Sequence, residues 1–201
     1  MVILMPCDTS SLVVDKLCNM AGERNIGVSC FYVDFAAREE QSPTNILGSL
    51  LQQLVVGLGE IPDEISRTFQ DHKKGIGGRK LQVTRIVKML QIVTSFRPTF
   101  ICADALDECV EGYRYEILDS LRQILEKSPN TRIFLTGRRH IRSEIDRHLG
   151  ERTMVLSIRP NRDDIVGYIR MRLNKDASLD RMDSGLEDEI IESITENIPE
   201  T

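Results

Sequence analysis

Three carboxylates lie close together at Asp104, Asp107 and Glu108, and a basic group, Arg138, Arg139 and His140, follows further along the chain. The acids close the stretch Thr99-Phe-Ile-Cys-Ala-Asp-Ala-Leu-Asp-Glu-Cys109. Carboxylates this close repel one another, and a cation offsets them; Mg²⁺ carried by a nucleotide is the usual solution. A second reading is a core strand that runs into a solvated acidic loop. The small Ala105 and the second acidic pair, Asp107-Glu108, weigh towards the first.

These side chains need elements that bring them to one place. Phe100 to Ala103 is a short apolar run without periodicity, the pattern of a strand buried on both faces of a parallel sheet. It ends in Asp104, which puts that acid at the C-terminal edge of the strand, where open α/β sheets bind ligands. Thr131 to Leu135 reads as a second such strand, and Thr136-Gly-Arg-Arg-His140 then sets basic groups at the same edge. Around these two strands the chain alternates. Asp8-Thr-Ser-Ser starts a helix with Leu12, Val13, Leu17 and Met20 on its apolar face and Gly22 near its stop. Gly27 to Phe35 is a buried strand, with Asp34 expected to cap the loop that follows. Ser42-Pro43 is a helix start, and Ile46, Leu47, Leu50, Leu51, Leu54, Val55 and Leu58 recur at helical spacing after it.

Further helices are expected near Pro62 to His72, over Leu81 to Val93, through Ile117 to Leu125, and from about Ile141. Lys73 to Lys80 reads as a glycine-containing basic surface loop; no strand precedes its glycines, so it is no phosphate-binding loop. Thr153 to Ile158 is one more strand, Asn161 to Asp164 caps a helix carrying Ile165, Val166, Ile169 and Leu173, and Gly185 to Ile198 is a last helix. Strands alternating with helices call for a mostly parallel sheet covered on both faces. His72, Arg139, His140, Arg142 and His148 read as helix-end or loop-capping residues.

Apolar content of 41% and charged content of 28% over 201 residues describe an ordinary globular chain, long enough for one core. A formal net charge of −5 argues against a nucleic-acid grip built on bulk electrostatics. The five cysteines show no CxxC pair, and Cys30 and Cys102 sit inside apolar strand runs, so reduced thiols in a cytoplasmic protein are expected. No apolar run is long enough to span a membrane.

Four apolar residues followed by Asp-Ala-Leu-Asp-Glu resemble the extended Walker B motif of the NACHT family of signal-transduction NTPases. The chain is similar to fungal NACHT proteins, described at their N-terminal part as nephrocystin-3-like. The resemblance runs from about Leu12 to the C-terminus and includes Phe31-Tyr-Val-Asp34, Gln41-Ser-Pro-Thr-Asn-Ile-Leu47 and Arg132-Ile-Phe-Leu-Thr-Gly-Arg138. It implies a three-layer P-loop NTPase-like α/β fold and a nucleotide-dependent switch that oligomerises with ATP and resets by slow hydrolysis. By the same resemblance, Asp104 holds Mg²⁺ through water, Asp107 and Glu108 polarise the attacking water, and Arg138, at the sensor 1 position, reads the γ-phosphate. Protein partners and self-association would then involve regions outside this chain, often ankyrin repeats.

One motif of that family is missing. Its Gly-x-x-x-x-Gly-Lys-Ser/Thr loop cradles phosphates on backbone N–H groups and neutralises them with Lys. The matching place reads Met1-Val-Ile-Leu-Met-Pro-Cys-Asp-Thr-Ser10, with no Gly-Lys pair and with Asp8 where a phosphate would lie. Lys16 stands too far into the helix to substitute. The first strand and phosphate loop are therefore expected to be missing, with Val2 to Leu4 at best a stub. Residues 1–201 are expected to form one incomplete domain, in which 1–10 do not match and 185–201 open a following helical region. The chain is then either a truncated reading of a longer gene or a degenerate paralogue; the resemblance implies Mg-ATP as cofactor, and this chain is expected to bind it poorly or not at all. The alternatives are a catalytically dead interaction module that retains the fold and, last, a metal-dependent nuclease using Asp104, Asp107 and Glu108.

Overall fold

The computed structural model describes residues 2–5, 10–74, 81–150, 153–156, 162–175 and 184–196. Asp8-Thr9, residues 75–80 of the basic loop, Ile158, Asn161 and the end of the last helix lie outside them. Five strands form one parallel sheet: β1 (Val2–Met5), β2 (Gly27–Tyr32), β3 (Thr99–Asp104), β4 (Thr131–Thr136) and β5 (Thr153–Val155), in the order β2-β3-β4-β1-β5. Eight helices accompany them among the described residues: α1 (Ser10–Glu23), α2 (Pro43–Val56), α3 (Asp63–Lys74), α4 (Val83–Phe96), α5 (Glu111–Lys127), α6 (Arg142–Leu149), α7 (Arg162–Lys175) and α8 (Ser184–Glu196).

The α/β parallel sheet is as expected. The first strand, however, is not missing. Val2–Met5 pairs in parallel with β4, Val2 opposite Ile133 and Met5 opposite Thr136, and with β5, Val2 opposite Thr153. Four apolar residues suffice here because ladders on both sides satisfy their backbone groups, which a sheet centre cannot leave unpaired.

Strand alternation sends neighbouring side chains to opposite faces and so builds two cores. Ile101, Ala103, Ile133 and Leu135 join Leu47, Leu50 and Leu54 of α2, Leu90 of α4 and Leu118 and Leu121 of α5 in the larger one. Each of these leucines is fully buried, contributing roughly 1.5–3 kcal/mol. On the other face Cys102 and Phe134 pack against Val14 and Leu17 of α1, with Val28, Cys30 and Phe100 beside them. Burial pushes the Cys102 thiol up to about 12, so it stays a neutral packing group. The apolar face read for α1 is shifted: Leu12 is 71% exposed, and Val14 takes the buried place.

Ser42 caps α2 by accepting from the Asn45 N–H, with Pro43 at the first helical position. Asp34 accepts from the Ala36 N–H and so caps a short turn, as expected. Two glutamines cover the free edge of β2. The Gln53 amide bonds both the N–H and C=O of Cys30, and Gln41 bonds the Asp34 N–H and the Tyr32 C=O. Such pairing blunts an edge that would otherwise recruit another strand.

The chain divides into two compact units, Met1–Ser157 and Ile158–Thr201. In the second, α7 and α8 bury Ile169 and Ile191, and Arg170 lies 3.4 Å from Glu187. No helix among the described residues is long and apolar enough to cross a membrane.

Candidate functional site

β3 carries Asp104 to the C-terminal edge of the sheet, where Ala105 turns the chain sharply with φ 54° and ψ 41°. This left-handed conformation is costly for any residue with a Cβ and is tolerated best by a small one. The turn is held from the neighbouring strand. The Ala105 N–H donates to Thr136 Oγ1 at 2.9 Å, and the Thr136 hydroxyl donates to Asp104 Oδ1. A single turn, Leu106–Glu108, follows, anchored by the fully buried Leu106 and by the Glu108 N–H on the Ala105 carbonyl.

The loop after β4 meets this turn. Asp107 has a side chain only 2% exposed; its Oδ1 accepts from the Arg138 N–H at 3.1 Å, and its Oδ2 lies 3.5 Å from Arg138 Nε. Arg138 Nη2 is 3.9 Å from Glu108 Oε1, and the arginine side chain remains 75% exposed. Gly137 makes the approach possible, since a Cβ there would stand 2.8 Å from Ile141 Cδ1 and 3.3 Å from Asp107 Oδ1. Asp104, Asp107, Glu108 and Arg138 are thus brought together, with the acids in different roles. Asp107 is consumed by the loop it braces, while Glu108 is the more open of the pair. Among the described residues no three acidic, histidine or cysteine side chains converge to hold a metal ion, so the three acids do not make a carboxylate cage.

Arg114 and Glu144 were not apparent from the sequence. Arg114, in the first turns of α5, is 6% exposed. Its Nε and Nη2 make a bidentate pair with Glu144 of α6 at 2.7 and 2.9 Å, and its Nη1 donates to the carbonyls of Cys109 at 2.9 Å and Asp107 at 3.4 Å. The hydrogen bond from Arg114 holds the Glu144 carboxyl below its ordinary range, and that bond in turn raises the guanidinium. Tyr32, opposite Asp104 in register, is held up first by burial and then by neighbouring groups that include Asp104. Arg139 and His140 are exposed, and His148 sits edge-on to Tyr115 with ring centroids 4.5 Å apart.

A bound Mg-nucleotide would need donors on the β1–α1 side of this edge. The connection there is Pro6-Cys7-Asp8-Thr9, outside the described residues, and it contains neither glycine nor lysine. Lys16 is an exposed residue in the second turn of α1, about 9 Å along the axis from Ser10. The acidic side is built, whereas the sequence on the β1–α1 side lacks the glycine and lysine that a phosphate cradle uses.

Solved structures share the fold. The Drosophila ORC bound to DNA matches with a TM-score of 0.53 and 14% identity over 100% of this chain and 47% of its own. Cdc6p from Pyrobaculum aerophilum gives 0.52 and 12% over 85% and 42%, and the Aeropyrum pernix Orc1 protein in complex with DNA gives 0.51 and 15% over 87% and 43%. The chain spans less than half the length of each. At these identities the likeness is one of fold, that of P-loop NTPase-like domains. No curated protein matches the sequence. The family model described as nephrocystin 3, N-terminal, matches residues 9–138, from the start of α1 to Arg138 and so across both loops of the site. The chain belongs to the nephrocystin 3 N-terminal family.

Proposed function

We propose that this chain is the core of a NACHT-type, nucleotide-dependent molecular switch that does not hold Mg-ATP by itself. The observation that carries the reading is the assembled group of Asp104, Asp107, Glu108 and Arg138 at the ends of β3 and β4. Core packing does not need these four charges, which supports reading them as a hydrolytic edge. Glu108 is the base of the site, open enough to reach water. Asp107 braces the arginine loop, Arg138 is the phosphate-facing cation, and Asp104 is the acid on the metal side. Signalling partners, self-association and a cytoplasmic setting belong to the same proposal.

A second reading, a protein-interaction module that keeps the fold without the nucleotide, is favoured by one observation. β1 already fills the slot between β4 and β5, and the sequence that joins it to α1, Pro6-Cys7-Asp8-Thr9, carries neither glycine nor lysine. A graft distinguishes the two. Replacing Pro6–Thr9 with a glycine-rich loop ending in Gly-Lys-Thr is expected to create Mg²⁺-dependent ATP binding and slow hydrolysis. Glu108→Gln in that graft then removes turnover and leaves binding. A folded graft that binds no ATP favours the interaction module.

A further inference from the structure

Arg114 has a buried guanidinium whose contacts divide between two elements. Two of its nitrogens grip Glu144, on the helix that follows the Arg138 loop. The third donates to backbone carbonyls on both sides of Glu108, those of Asp107 and Cys109. The polar partners of Arg114 are Glu144 and two carbonyls, not Arg138 or the Asp107 carboxylate, yet it joins the two pieces of chain that bear them. A planar fork suits this task, because it makes several fixed bonds at once where an ammonium makes one compact contact. An ion pair serving α5–α6 packing alone would not need the carbonyl bonds.

We propose that Arg114 is a positioning residue that sets the acid-bearing turn Leu106–Glu108 against the Arg138 loop. The inference rests on the reading of that edge as the working site, but its geometry stands without nucleotide. With Arg114 in place, the Asp107 carboxylate is presented to the Arg138 N–H and Glu108 is kept within reach of the guanidinium. Without it, the turn keeps the Thr136 bond at its start and loses its hold at the other end.

The test is site-resolved hydrogen exchange on the full chain without nucleotide. In the paired variant Arg114→Met/Glu144→Leu, apolar groups replace the ion pair, an exchange that often leaves stability unchanged. The variant is expected to melt near the unaltered chain. The amides of Glu108, Cys109 and Arg138 should exchange about tenfold faster, while those of Ile133, Phe134 and Leu135 in β4 stay protected. A folded variant that retains protection at Arg138 overturns the proposal. Should this variant not fold, Arg114→Lys keeps the charge and stem without the fork. It is expected to expose the Arg138 amide in the same way, and unchanged exchange there is equally contrary. Because no nucleotide is present, this outcome is independent of whether the chain or its graft binds ATP.

Discussion

The two sides of the sheet's C-terminal edge are built on different principles. After β3 and β4, the chain is held by several side chains: Thr136 on Asp104 and Ala105, Asp107 on the Arg138 N–H, and Arg114 on two carbonyls and Glu144. After β1 there is only Pro6–Thr9 and then α1. The first side is made of side chains anchored in the core and needs no ligand to persist. A phosphate cradle is made of backbone N–H groups arranged by glycines around an anion, with a lysine to neutralise it. Such a cradle can be lost without disturbing the sheet, since any short apolar strand satisfies β1's neighbours. In the function proposed for this chain, the acidic edge and the fold are kept while the grip on a nucleotide is lost.

The contrast breaks most readily at Arg114. Arg114→Ala leaves Glu144 partly buried and unpaired, and is expected to cost about 3 kcal/mol, the low end for broken buried pairs because Glu144 retains some solvent. On the other side, Lys16→Ala should stay within about 0.5 kcal/mol, as an exposed residue does. Denaturant unfolding of both variants measures the difference, and equal losses would mean the two sides are not unlike. Gly137→Ala should cost about 1–2 kcal/mol, because its Cβ must displace Ile141 or Asp107. The smallest effect is with pH. The folded Glu144 titrates below its unfolded value, so its stabilisation is present above about pH 4.3 and is lost as pH falls through the lower folded value. Glu144→Gln should flatten that part of the acid limb in a pH series of melts, whereas Lys16→Ala should leave it unchanged.

Much of the fold could be read from the chain. β3 announces itself as an apolar run ending in Asp104, β4 as Ile133–Leu135 ahead of a basic loop, and Ser42-Pro43 marks the start of α2. That Asp104, Asp107, Glu108 and Arg138 share an edge followed from strand ends alone. What escaped were long-range partners. Arg114 and Glu144 stand 30 residues apart and look like ordinary helix-surface charges. Gln41 and Gln53 are likewise unmarked until an open strand edge lies beside them. The phase of α1 differs from the sequence pattern at Leu12, because one exposed leucine satisfies a helical spacing as well as a buried one. β1 is hard to read from sequence because four residues carry little pattern of their own and are held in place by the strands on either side.

Calorimetric titration of Mg-ATP into the unaltered 201-residue chain tests the central claim most directly. With an assembled acidic edge and no phosphate cradle, the titration should give no saturable heat up to about 1 mM nucleotide. Saturable, Mg²⁺-dependent binding with a dissociation constant of about 1 μM, some 8 kcal/mol, would show that Pro6–Thr9 and its surroundings hold phosphates after all and would contradict the account.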